Sequence, residues 1–296
     1  MDKALIKVGI CVAYDWEYLK ISLPLIYKHS DTICLSLDRD RTSWSGKKYV
    51  FDNDAFYNFI NEIDTQKKII VYEDNFYVSD HSPMHLEVLQ RKKMIEVLGN
   101  ADWYIQIDVD EYFIDFKSFV LFLTTLNSNK PCQIQSFMLP MYKKTNEGFF
   151  VVKFTKDWES LPMATNLPTY EYGRVTSHKV YWSNTYVLHE SWARTEEQVR
   201  TKIDSWGHAS DIPNKDKYIQ DWVNLNSGNY LNYKNIHPVR GEAWPELDFV
   251  PCTSVYELLE IYKTKNLSNT RYTKVFLKNK LNIGILNKLK TLLSFK

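Results

Sequence analysis

The chain has 296 residues, of which 44% are hydrophobic and 25% charged, with a net charge of only +1. That is ample material for one large core, carries no signature of disorder, and argues against a dedicated nucleic-acid binder. Aromatic residues reach 15%, including 20 Tyr and 9 Trp; flat amphipathic rings suit carbohydrate sites and large cores alike.

The four cysteines, Cys11, Cys34, Cys132 and Cys252, are scattered and form no CxxC pair, so neither a disulfide framework nor a zinc site is expected. The N-terminus leads straight into Ile6-Lys7-Val8-Gly9-Ile10-Cys11-Val12, which reads as a strand and not as a signal peptide. No apolar run approaches the roughly 20 residues needed to span a bilayer. A reducing, cytoplasmic setting is the expectation.

In chain order, Ile6–Ala13 predicts a buried strand and Trp16–Lys28 a helix. Thr32–Leu37 predicts a second strand, Ala55–Ile63 a helix and Lys68–Tyr72 a third strand. Met84–Leu98 carries a helical stripe of Leu86, Leu89, Met94, Val97 and Leu98, and Trp103–Ile107 predicts a fourth strand. Short strands separated by helices of this size imply βαβ units and a mainly parallel sheet, whose ligands bind beyond the carboxyl ends of the strands. Asp15, Asp38, Asp108 and Asp110 all fall at such ends. Phe116–Leu126 predicts a helix capped by Asp115, residues 133–188 a strand-rich stretch, and Thr195–Trp206 another helix capped by Thr195. Residues 210–250 have no clear period.

The end differs from the body. After Glu260 there are nine Lys and Arg and no acidic residue. Leu281, Ile285, Leu286, Leu289, Leu292 and Leu293 share one side of a helical wheel, with Lys280, Lys288 and Lys290 away from its centre. A basic helical extension over 251–296 is expected beyond a main domain over 1–250. Such a tail suits peripheral contact with an anionic membrane, and packing on the acidic body is the alternative.

The chemical signal is Ile107-Asp108-Val109-Asp110-Glu111-Tyr112-Phe113, an apolar strand running into three carboxylates within four residues. Like charges so close need a compensating cation or hydrogen bonds. Hard oxygen ligands suit Mg²⁺ or Mn²⁺, which keep open positions for phosphate oxygens.

Asp102-Trp103 followed by Asp108-Val109-Asp110-Glu111-Tyr112-Phe113 resembles the signature of family 2-like glycosyltransferases with the GT-A fold, a Rossmann-like α/β sheet. Gln90-Arg91-Lys92-Lys93-Met94 is similar to the segment that precedes that signature. Ala13-Tyr14-Asp15-Trp16-Glu17 resembles the family's opening turn, with Asp15 where Asn is usual. Leu188-His189-Glu190-Ser191-Trp192-Ala193-Arg194 and Trp206-Gly207-His208 look like its later block.

The resemblance implies a nucleotide-sugar donor, a divalent metal (Mn²⁺ or Mg²⁺), and single-displacement transfer to a glycan or lipid-linked glycan. It puts Tyr14, Asp15 and Asp38 at the nucleotide, Asp108 at ribose and metal, and Asp110 on the metal. Arg91 would reach the diphosphate and Glu111 would orient a ligand or backbone group. His189 is the expected third metal ligand, and His208 a weaker site candidate. Inverting transfer needs a carboxylate base; Asp157, Glu159, Glu171 and Glu190 lie in the plausible region, with Glu159 first and Glu190 second. A phosphohydrolase with an Asp nucleophile, or a carbohydrate-binding module, are the competing readings.

Overall fold

The computed structural model describes residues 4–126, 130–153, 159–205, 211–265 and 267. Asp157, His208 and the leucine-bearing basic stretch after residue 267 therefore lie outside the described residues. Among those described, no helix is long and apolar enough to cross a membrane.

The N-terminal half alternates β1 (Ile6–Val12), α1 (Leu19–Tyr27), β2 (Thr32–Asp38), α2 (Asn53–Ile63), β3 (Ile69–Asp74), α3 (Pro83–Leu98) and β4 (Trp103–Asp108). β3, β2, β1 and β4 lie side by side in that order, all parallel. After β5 (Glu111–Phe113) and α4 (Phe116–Thr125), four strands follow: β6 (Cys132–Lys144), β7 (Phe149–Val152), β8 (Ser160–Thr165) and β9 (Lys179–His189). β8 continues the sheet antiparallel to β4, β6 and β7 follow it, and β9 pairs parallel with β6 and antiparallel with β5. Then come α5 (Glu196–Ser205), α6 (Lys215–Asn224), β10 (Leu247–Val250) and α7 (Val255–Thr264). The result is the expected α/β class, with a parallel central sheet between helices.

Period-two alternation decides which side chain meets which helix. Ile6, Val8, Ile10 and Val12 of β1, with Ile33, Leu35 and Leu37 of β2, join Leu19, Leu23, Phe56, Phe119 and Leu123 in the main core. The opposite face carries Gly9, Cys34, Ser36, Gln106 and Asp108 and meets α3. A Cβ on Gly9 would come within 2.7 Å of Met94 and Gln106, so the glycine lets α3 close onto β1. Gln90 of α3 donates to the carbonyl and hydroxyl of Ser36, 3.0 Å each.

Several boundaries differ from the sequence reading. The helix expected over Trp16–Lys28 is a 3-10 turn at Trp16–Tyr18 followed by α1. The stretch 210–250, without clear period, contains α6 and β10. Asp115 caps α4 as expected, its carboxylate accepting from the Ser118 amide at 2.9 Å. Thr195 caps α5 through its hydroxyl, accepting from the Gln198 amide at 3.2 Å. α7 buries Val255, Leu258, Leu259 and Tyr262 against Tyr112, Leu139, Met141 and Phe149 of the sheet.

Candidate active site

The carboxylates gather at the carboxyl edge of the parallel strands, and each faces a guanidinium. Asp15 follows β1 and stands at the start of the 3-10 turn, yet makes no cap bond to it. Its Oδ2 instead accepts from Nη1 and Nη2 of Arg194, both at 3.2 Å. The same Arg194 donates from Nη2 to Asp110 Oδ2 at 2.5 Å and from Nε to the Glu190 carbonyl at 3.3 Å. Its guanidinium lies 4.7 Å from the Tyr18 ring centroid. Arg194 thus clamps the ends of β1 and β4 together.

Asp108 points to the α3 face, as its strand parity requires, and Arg91 Nη2 donates to its Oδ1 at 2.8 Å. Arg91 also bonds Glu87 and Gln106 and is only 1% exposed. It therefore holds Asp108 from inside and does not reach outward to a diphosphate. Glu111 is fully buried, takes both terminal nitrogens of Arg174, and accepts the Asp108 amide at 3.0 Å. Arg174 adds a bond to the Gln106 carbonyl at 2.8 Å. Glu111 is thus a backbone-orienting group, inaccessible to substrate.

His189 ends β9, in register with Glu111. Its Nε2 lies 3.5 Å from Asp110 Oδ2, and its Nδ1 faces Met138 Sδ at 3.1 Å. Burial would raise Asp110's pKa, but His189 and Arg194 overwhelm that and hold it well below the carboxylate range. Burial works against protonation of His189, yet Asp110 outweighs it and the imidazole pKa is raised. Asp108 is likewise lowered, Arg91 and Arg174 reversing the effect of desolvation. At Asp15 desolvation wins over Arg194 and the pKa is raised.

Of the expected trio, Asp110 and His189 lie together, while Asp108 turns to Arg91. Among the described residues no three His, Cys, Asp or Glu side chains are disposed to hold an ion. The reason is visible: Asp110 Oδ2 is occupied by Arg194, and Asp108 turns to Arg91 on the other side of its strand. The charge compensation that three adjacent carboxylates demand is met here by guanidinium groups.

Asp38 is also spoken for. Its Oδ1 accepts from the Asp40 and Thr42 amides and its Oδ2 from the Phe76 amide at 2.8 Å. It fixes the loop after β2 instead of opening to a ribose. Tyr14 is 39% exposed at the mouth, edge-on to Tyr49 with ring centroids 6.1 Å apart.

Of the base candidates, Glu190 is buried and accepts the Tyr112 hydroxyl at 2.5 Å; burial pushes its pKa up to about 7. Glu159 immediately precedes β8, which is antiparallel to β4, and so lies at the same carboxyl edge. It is half-buried, and its Oε2 accepts from Trp244 Nε1 at 2.8 Å. Glu171 lies in the turn that carries Arg174, where its amide bonds the Val175 carbonyl at 2.9 Å.

Arg174, Lys202 and Tyr112 were not foreseen, and Arg194 only as a neighbour of His189. Lys202 of α5 donates to the Ser191 carbonyl at 2.7 Å, and desolvation together with Arg194 pushes its pKa down to about 8. The available signal was indirect: three carboxylates on a buried strand end require cations from elsewhere in the chain.

The chain matches no family model and no curated protein. Among solved structures it is similar to 4-diphosphocytidyl-2C-methyl-D-erythritol synthase from Anaerococcus prevotii, with 13% identity, 68% of this chain, 95% of that one and TM-score 0.38. It is also similar to inositol-1-phosphate CTP transferase from T. maritima, with 9% identity, 70% and 99% coverage and TM-score 0.38. HddC from Yersinia pseudotuberculosis, complexed with GMP-PN, shows 11% identity, 62% and 93% coverage and TM-score 0.31. Likenesses of this size leave the chemistry to be argued from the residues.

Proposed function

We propose that the chain is a glycosyltransferase that moves a sugar from a nucleoside-diphosphate donor to a carbohydrate or lipid-linked glycan, with inversion. The observation that supports this reading is the meeting of Asp15 and Asp110 on Arg194, with His189 3.5 Å from Asp110, at the carboxyl edge of the parallel strands. Ligands of such sheets bind at that edge, and the motif of the DxDE resemblance supplies Asp110 to it.

In this reading Tyr14 and Asp15 border the nucleotide and Asp108 faces the ribose. Glu159 takes the proton of the acceptor hydroxyl, whose oxygen bonds the anomeric carbon while the nucleoside diphosphate leaves with the electrons of the sugar–phosphate bond. Mn²⁺ or Mg²⁺, if bound, would be held by Asp110 and Asp108 and would offset the charge of the leaving diphosphate.

Incubation with a panel of UDP-, GDP- and dTDP-sugars tests the reading. Release of nucleoside diphosphate, accelerated by a glycan acceptor, is the expected outcome. Hydrolysis of simple phosphate esters alone would replace it with a phosphohydrolase, and no turnover of either class with a binding module.

A further inference from the structure

We propose that β3 is a dimerisation edge: a second copy of this chain lays its own β3 antiparallel against the first, centred on Val71, and joins the two sheets into one. The proposal goes beyond the transferase reading and does not rest on it.

β3 ends the sheet, with β2 on one side and, among the described residues, no strand on the other. The Lys68 carbonyl accepts the Ile33 amide and the Asp74 carbonyl accepts the Arg39 amide, both at 2.9 Å. Lys68, Ile70, Tyr72 and Asp74 therefore turn their backbone groups to β2, and Ile69, Val71 and Glu73, alternating with them, turn theirs outward. Two of the outward groups are taken. The Ile69 amide donates to Asp64 Oδ2 at 3.2 Å, and Arg39 Nη2 donates to the Glu73 carbonyl at 3.3 Å. The Val71 N–H and C=O, the Ile69 C=O and the Glu73 N–H bond to no described residue. No proline lies in the strand and its register with β2 is unbroken. An edge left open in this way is a template for another strand.

The strand itself selects the partner. Lys67-Lys68-Ile69-Ile70-Val71-Tyr72-Glu73-Asp74 begins basic, is apolar in the middle and ends acidic. A parallel copy would set like charges side by side. An antiparallel copy centred on Val71 sets Lys68 opposite Asp74 and Ile70 opposite Tyr72, on one face of the joined sheet. Val71 N–H then donates to the partner's Val71 C=O, and Glu73 N–H to the partner's Ile69 C=O, each bond occurring twice by symmetry. Those are the open groups. The two already taken would otherwise pair with each other, so Asp64 and Arg39 keep them. Ile70, 37% exposed, is the apolar side chain that the partner's Tyr72 covers. β1 and β4 lie inward of β2, so Asp15 and Asp110 of each copy stay clear of the joint.

Size-exclusion chromatography with light scattering on the full chain, from micromolar to hundreds of micromolar, tests this. The mass should rise to that of two chains as concentration rises. Ile70→Lys, at an exposed position, should keep the mass of one chain throughout, with the melting temperature of the dilute parent. Val71→Cys should form a disulfide between copies under mild oxidation, beyond the parent's background, because the Cα atoms of a hydrogen-bonded antiparallel pair stand about 5.5 Å apart. Ile70→Cys, whose two copies are diagonal neighbours about 7–8 Å apart, should cross-link about tenfold more slowly or less. A parent of one-chain mass at every concentration overturns the proposal and leaves the edge to a strand of another protein. A dimer that survives Ile70→Lys places the contact elsewhere and overturns it too. Equal cross-linking at positions 70 and 71 overturns the register centred on Val71, and the proposal with it. Should Ile70→Lys fail to fold, the two cysteine variants decide.

Discussion

Asp15 and Asp110, 95 positions apart in the chain, share one guanidinium: Arg194 reaches the first at 3.2 Å and the second at 2.5 Å. The residue that the helix start would have used as a cap is drawn into the site instead. Breaking a buried pair by removing one partner is far more damaging than the pair's net worth, because the other charge is left uncompensated.

Asp110→Asn should therefore have two effects. Transfer should fall to background, and stability to urea should drop by about 3 kcal/mol, because Arg194 keeps only Asp15 as a carboxylate partner. Donor turnover and urea midpoints on one preparation measure both. Near-normal turnover would remove Asp110 from the site.

Glu159→Gln should separate chemistry from structure. The amide oxygen can still accept from Trp244 Nε1, so the melting temperature should hold. An amide cannot take a proton, so kcat should fall by about 10²–10⁴-fold while nucleotide affinity is unchanged. Unaltered kcat would pass the role of base to another carboxylate.

Glu190 gives a pH dependence. Its pKa is raised from 4.5 to about 7 by burial, so the folded state holds a proton that the unfolded state releases. The stability this contributes is complete below pH 4.5 and is lost as pH rises towards about 7. Glu190→Gln should leave stability at pH 4.5 nearly unchanged and raise it at pH 8 by up to about 3 kcal/mol. Denaturation series at the two pH values decide; an equal effect at both would contradict it.

Lys143 tests a support of the fold remote from the carboxylates. Its buried Nζ donates to the carbonyls of Trp222, Val223 and Leu225, each at 2.8 Å, and so closes the C-terminal end of α6. Lys143→Met leaves three acceptors unmet. It should cost about 3 kcal/mol and speed hydrogen exchange of the α6 amides first. Uniform exchange across the chain would argue against a local cap.

The N-terminal half was legible in the sequence because βαβ units place apolar runs and acidic strand ends at regular intervals; β1 to β4 and α3 lie within a few residues of expectation. The position of Asp108 and Asp110 followed from the strand they terminate. Their partners did not. Arg174 sits in the tight turn around Gly173, whose φ is 53°, where no periodicity points to a buried cation. Asp38 has the right place, but its carboxylate is consumed by three backbone amides, a matter of loop conformation that residue type alone does not disclose. Boundaries shifted where local chemistry competed, as at Asp15, whose pull towards Arg194 accompanies a 3-10 turn in place of the first turn of a helix.

The clamp also sets an order of assembly. Arg194 lies 179 residues from Asp15 and 84 from Asp110, whereas the strands that end in those aspartates are adjacent in the sheet. Contacts of such separation form only after long loops have been closed. A growing polypeptide that has emerged only as far as the turn after β4 already holds Arg91 for Asp108, while Arg174 and Arg194, the partners of Glu111 and Asp110, are still unsynthesised. The clamp can close only once the chain has been made as far as residue 194, about two-thirds of its length.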